Sequence, residues 1–305
     1  MSGNVRILDT FADFMEAWEA LKHCEIADMP DVWEKEYMKR YPDLLLKQTQ
    51  QYASEGLDWR KVSKQHVFQD ISERIGRIQT AHASILDVAP AVLKKLTTVF
   101  EFTEEIWLVI YVGIGCGAGW ATSLQGRPAV LLGLENIAEC NWESKESITG
   151  LLSHEIGHLY HANKRSKACV PRGYGPFWRL YEEGFAQRFE HLLSGADTWH
   201  EMSGINGEDW LDWCKGNISE LVRVYLQRVF SGQSVDDFFG HWFDIEGRKQ
   251  CGYFIGHEFI RYLEEKGLTI EQIALIPEIE GECHEFLMNM ASQERLGHSA
   301  YQHDS

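Results

Sequence analysis

His154, Glu155 and His158 stand in the order His-Glu-x-x-His, and on a helix that spacing puts two imidazoles and one carboxylate on a single stripe. At about 100° per residue the two histidines lie roughly 40° apart around the axis, and Glu155 falls within the same ~100° arc. Two neutral imidazoles can hold one Zn²⁺ while the neighbouring carboxylate takes a proton from a water on the metal. The flanking residues, Gly150-Leu151-Leu152-Ser153 before and Leu159-Tyr160-His161-Ala162 after, predict one largely buried helix from about Lys145 to Ala162. The competing reading is a core helix whose histidines bond to backbone carbonyls. It leaves Glu155 buried without a partner, which is costly.

A catalytic zinc takes three protein ligands and keeps one position open, so a third ligand has to come from elsewhere. A second histidine further along the same segment is excluded, because Lys164 stands where it would be and His161 replaces the glycine that would precede it. Downstream, Tyr181-Glu182-Glu183-Gly184-Phe185-Ala186 begins a second apolar-periodic helix. Here the chain resembles the gluzincin metallopeptidases, in particular the aminopeptidase and leukotriene-hydrolase branch. The resemblance makes Glu183 the third ligand, with Glu182 where that branch often has Asn, and makes Glu190 the acid that accepts the free ring N–H of a zinc-bound histidine. It also matches Tyr253-Phe254-Ile255-Gly256 to a Tyr-x-x-Gly segment whose phenol steadies the oxyanion, against the plain reading of a core aromatic. The resemblance covers about Trp107 to Leu263. The chain departs from the branch in spacing, since 24 residues lie between His158 and Glu183. The extra residues fall in an expected exposed connector from Lys164 to Pro176.

The elements that must hold these residues follow from periodicity. Ile106–Val112 and Pro128–Leu134 are apolar runs of strand length. Between them, Gly113-Ile114-Gly115-Cys116-Gly117-Ala118-Gly119 formally fits a dinucleotide fingerprint, but Thr122 to Pro128 reads as a turn rather than the helix which that motif must open. Alternating glycines suit a backbone that comes close to a strand or an extended peptide, and Gly117 and Gly119 are candidate substrate contacts. The resemblance implies that one of the two apolar strands is the sheet edge along which substrate lies. Gly133-Leu134-Glu135-Asn136 partly matches the segment with which that branch grips a substrate's amino group, so Glu135 is either an ammonium-binding carboxylate or a strand-end acid in solvent. Helix-type spacing marks Phe11–Leu21, Asp31–Gln51 with Asp31 as N-cap, Val67–Ala83, Pro90–Val99, Trp210–Phe230, Cys251–Lys266 and Cys283–Ala291. His161 is a possible cleft residue or a structural histidine, and His257 a possible second proton donor or a helix-surface histidine. The tail from Gly297 to Ser305 is polar and expected to fray.

At 305 residues, with 44% hydrophobic and 12% aromatic content, the chain can bury a sizeable core. It has 29 basic and 46 acidic residues, a formal charge of −17, which argues against nucleic acid or an anionic membrane as partner. Seven cysteines without a C-x-x-C pair give no disulfide framework and predict buried thiols, with Cys116 and Cys251 as possible cleft residues. No stretch reads as a membrane span or a signal peptide, and a cytoplasmic protein is expected. The expected architecture is α+β and zincin-like, mostly helical, with a small mixed sheet packed on the zinc helix. Residues 1–100 form an N-terminal helical region, a lid or specificity module, and residues 101–305 the metallopeptidase domain. The expected function is hydrolysis of a peptide or protein substrate, exo or endo, with one Zn²⁺ per chain held by His154, His158 and Glu183. Glu155 is the base and Tyr253 the oxyanion donor. The alternative is a binding or regulatory protein with a structural or vestigial metal.

Overall fold

The computed structural model describes residues 5–202, 206–240, 242 and 244–292, so the tail from Gly297 lies outside the described residues. The chain forms two compact units: Met1–Tyr160 with Phe189–Gly204, and His161–Arg188 with Ile205–Ser305.

The first unit begins with a strand that periodicity does not announce, β1 (Val5–Asp9), followed by α1 (Phe11–Leu21), which buries Phe14, Ala17, Trp18 and Leu21 at helical spacing. The next helix is not capped at Asp31: α2 (Met29–Val32) already contains it, with Pro30 in the first turn, where a missing N–H costs nothing. The chain continues through a π turn and a 3₁₀ turn to α3 (Pro42–Ser54), α4 (Trp59–Ser63) and, after a second π turn, α5 (Ile71–Val99). Two helices were expected where α5 runs unbroken through Pro90. The proline removes the hydrogen bond to Leu86, an exposed residue whose carbonyl can turn to water.

The sheet follows as β2 (Ile106–Tyr111), β3 (Gly119–Leu124) and β4 (Arg127–Gly133), in the order β1-β2-β4-β3. β1 and β4 run parallel to β2, whereas β3 runs antiparallel to β4, so the sheet is mixed. Every residue of β2 is buried, as its unbroken apolar run demands of a central strand. The two strands read from sequence are therefore both central, and the expectation that one of them is an edge is overturned. The edges are β1 and β3. β3 turns into β4 through Gln125 (φ 50°) and Gly126 (φ 74°), a two-residue loop with both residues left-handed, which matches the twist of a hairpin.

Side chains of the N-terminal helices finish the backbone where β2 ends. Trp33 Nε1 donates to the Val112 carbonyl (3.0 Å), the Tyr52 hydroxyl to Ile114 O (2.8 Å), and Ile114 N–H to Gln48 Oε1 (3.2 Å). These helices and β1 thus belong to the same compact unit as β2, β3 and β4. α6 (Leu134–Cys140) leaves β4 directly and ends on left-handed Asn141. α7 (Lys145–Lys167) and α8 (Gly175–Ser194) come next, each longer than its apolar pattern suggested, so that Lys164 to Lys167 are helical and the connector is shorter than expected.

The second unit adds α9 (Trp210–Ser231), α10 (Cys251–Glu265), α11 (Ile270–Ala274) and α12 (Glu280–Ser292). Its tightest backbone approach is Gly184 of α8 against Gly256 of α10, where a Cβ on either residue would overlap the other's backbone. Any side chain at either position forces the helices apart. The molecule is α+β and mostly helical, with one small mixed sheet among the described residues.

Candidate metal centre

α7 is buried around the motif: Leu152 and Ile156 are fully buried, His154 is 3% exposed and Glu155 8%, while His158 is half-buried. A polar triplet inside an apolar helix is held only if neighbouring elements satisfy it. The two imidazole rings stand 4.9 Å apart, centre to centre, at 76°. One ligand atom each from His154, His158 and the half-buried Glu183 of α8 lie within 4.8 Å of one another, a two-imidazole, one-carboxylate donor set suited to Zn²⁺. Glu182, beside Glu183, is turned to Arg172 at 2.7 Å.

Glu155 is held by the sheet. Its Oε2 accepts the Ala121 N–H of β3 at 2.7 Å, and a Cβ at Gly119 would overlap its carboxylate. Gly119 thus has a steric reason to be glycine, because the Glu155 carboxylate occupies the space of a side chain. β3 is the strand that meets the motif, and it lies in the stretch read from sequence as glycine run and turn.

The remaining glycines of the run are explained by α6. Glu135 is 2% exposed; its Oε2 accepts from Gly113 N–H (2.6 Å) and its Oε1 from Gly115 N–H (3.2 Å). Asn136 Oδ1 accepts from Gly117 N–H at 3.0 Å, and Gly117 has φ 126°, open only to glycine. Three alternate amides thus converge on the first turn of α6, and the run leads into a strand, not into a helix. Glu135 stands neither in solvent nor open to a substrate's ammonium. Burial lifts its pKa from 4.5 to about 7, the Gly113 and Gly115 amides opposing the shift.

Glu190 is fully buried, but its short contacts go elsewhere than expected. Its Oε2 lies 3.9 Å from His154 Nδ1 and only 2.7 Å from His200 Nδ1, and its Oε1 accepts the His200 backbone N–H at 3.2 Å. The tight partner is His200, because a short 3₁₀ turn, His200–Met202, brings that residue against α8 and Gly150 of α7 leaves the room. Next to it, Glu201 is also fully buried. Sequence reasoning missed His200 and Glu201. They sit in a three-residue turn with no periodicity, and a His-Glu pair between two apolar residues was their only signal.

Tyr253 lies on α10 with its hydroxyl 3.4 Å from the Phe239 carbonyl and its ring edge-on to Phe239. His161 is buried against Phe185 and meets the Tyr181 hydroxyl at 3.0 Å, a structural histidine. His257 is 6% exposed and bonds to Glu258 at 3.0 Å. Cys251 is buried and Cys116 half-buried. No helix is long and apolar enough to cross a membrane among the described residues. No family model, curated protein or solved structure matches the chain.

Proposed function

We propose that the chain is a zincin-like, zinc-dependent peptidase that hydrolyses an internal or terminal peptide bond. The observation that carries this reading is the approach of one ligand atom each from His154, His158 and Glu183 to within 4.8 Å, with Glu155 adjoining on the same helix. The donor set fits a catalytic Zn²⁺, which supplies Lewis acidity toward a carbonyl and an attacking water. The residues do the rest. Glu155, oriented by the Ala121 N–H, takes a proton from the water and returns it to the leaving amine. The Tyr253 hydroxyl is the donor we assign to the oxyanion.

β3 is an edge strand, and by strand alternation its Gly119 and Ser123 amides and carbonyls point the same way as the Ala121 N–H that reaches Glu155. An extended peptide added to that edge is delivered to the base. Glu135 is not assigned to substrate, since its oxygens are taken by Gly113 and Gly115.

The test is digestion of a peptide library by zinc-loaded protein, with and without chelator, beside Glu155→Gln. Expected are chelator-sensitive cleavage by the wild type and none by the variant at unchanged zinc content. Equal inertness of both would favour a binding protein that keeps the fold.

A further inference from the structure

His200 is arranged as a metal ligand although the motif does not include it. Its Nδ1 lies 2.7 Å from Glu190 Oε2, a contact satisfied by Nδ1–H donating to the carboxylate. That leaves Nε2 as a lone pair, and it faces Glu201 Oε1 at 3.5 Å. Two ligands on one tetrahedral Zn²⁺ are separated by about 3.4 Å, given metal–ligand bonds of about 2.1 Å, so the observed gap has the size of a coordination edge. His154 adds a third donor: its ligand atom, that of His200 and that of Glu201 lie within 4.8 Å of one another.

The carboxylate behind the ring strengthens the assignment. A histidine that binds metal through one nitrogen characteristically gives its other N–H to a carboxylate, which fixes the tautomer, and Glu190 does this for His200. All four side chains, His154, Glu190, His200 and Glu201, are at most 4% exposed. A divalent cation balances the charge that two buried carboxylates bring with them.

We propose that His154, His200 and Glu201 form a second divalent-cation position, one that needs neither His158 nor Glu183, with Glu190 orienting His200. The ligand class is a borderline cation such as Zn²⁺ or Co²⁺, from the two imidazoles and one carboxylate. The position goes beyond the proposed peptidase reading, and the experiment separates the two.

Co²⁺ is titrated into the apo form of five full-length proteins: wild type, His158→Asn/Glu183→Gln, Glu201→Gln, the triple variant, and Glu190→Gln in the double-variant background. Visible d–d absorbance and bound metal are measured, with near-UV circular dichroism to establish that each is folded. The expected result is that the double variant binds one equivalent and that adding Glu201→Gln lowers its affinity by on the order of 100-fold or more. Glu190→Gln in the double-variant background should lower it about 10-fold to 100-fold, because it removes only the orienting partner. A folded double variant that binds no Co²⁺ overturns the proposal and leaves the peptidase reading intact. If Glu201→Gln alone empties the protein and stops hydrolysis while the double variant retains both, the second position stands and the assignment of His158 and Glu183 falls.

Discussion

Glu135 and Glu155 are two buried carboxylates of the same compact unit, and both accept hydrogen bonds from the backbone that leads into or along β3, yet they are left in different states. Glu135 spends both oxygens on glycine amides inside a loop. Glu155 has one oxygen on a sheet-edge amide and stands beside two histidines on a helix. The first arrangement fixes a backbone; the second ties a carboxylate of the motif to the sheet edge. The same functional group is thus a latch in one place and, on the proposed reading, a base in the other, and that contrast can be broken from either side.

The largest effect is expected at the base. Glu155→Gln keeps the size and the Ala121 contact but cannot take a proton, so kcat should fall by about 10³-fold, the middle of the usual range for a general base. Zinc content, measured by elemental analysis, should stay at the wild-type level. A variant that loses zinc as well would show that Glu155 is a ligand rather than a base.

At the latch the effect is on stability and depends on pH. The Glu135 pKa is about 7 in the folded chain against 4.5 as its ordinary value, because burial disfavours the ionised form. Below pH 4.5 the group is protonated folded or unfolded and imposes no penalty. As pH rises from 4.5 to 7 the unfolded chain ionises first, and stability is lost by on the order of 3 kcal/mol once both forms are ionised. Glu135→Gln removes this component. Denaturant melts of both proteins, metal-free, at pH 4.5 and pH 8 should show the variant gaining on the wild type at the higher pH; a constant difference would contradict a raised pKa.

Third comes the contact between the two regions, at Gly119. A side chain there would occupy the space of the Glu155 carboxylate. Gly119→Val should therefore displace the base by about an ångström and lower kcat by roughly 10²-fold. The same substitution at Gly126, in the hairpin loop with nothing near its Cβ, should disturb folding through its φ of 74° but leave per-molecule activity of the folded fraction unchanged.

Local pattern and non-local pairing divide what the residues disclose in advance. β2 and, from Ala129 on, β4 are unbroken apolar and buried runs because central strands are covered on both faces, and α9, α10 and α12 carry their periodicity plainly. β1 and β3 are half-exposed edges, so neither has an apolar run, and β1 is defined by pairing with residues a hundred positions away. The Gln125-Gly126 loop was a hairpin signal that a reading of 122–128 as a plain turn passed over. At the candidate site the helix supplied its own evidence: His154, Glu155 and His158 are visible as a spacing. What surrounds them was not, since Ala121 acts through its backbone, and His200 and Glu201 arrive on a three-residue turn. Spacing put Glu190 on the face of the histidines but could not name His200 as its close partner, because spacing gives direction and not distance.

The smallest effect isolates the edge amide itself. Ala121 pairs with Val130 in register, and its N–H points to Glu155, away from β4, so a proline here removes no ladder hydrogen bond. Trp120 is extended, as a residue before proline must be, and the ring Cδ takes the place of the hydrogen, pointing at Glu155 Oε2. Ala121→Pro therefore deletes one contact to a charged oxygen and crowds that oxygen as well; the lost contact alone is worth about 1.5 kcal/mol, so kcat should fall by roughly tenfold or more. Because the change is confined to the base, KM should change little. Ala121→Gly, which keeps the N–H, is the control and should retain activity. If proline and glycine lower kcat equally, the loss comes from strand stiffness or packing and the amide does not orient the base; if only proline does, β3 is part of the catalytic geometry through its backbone alone.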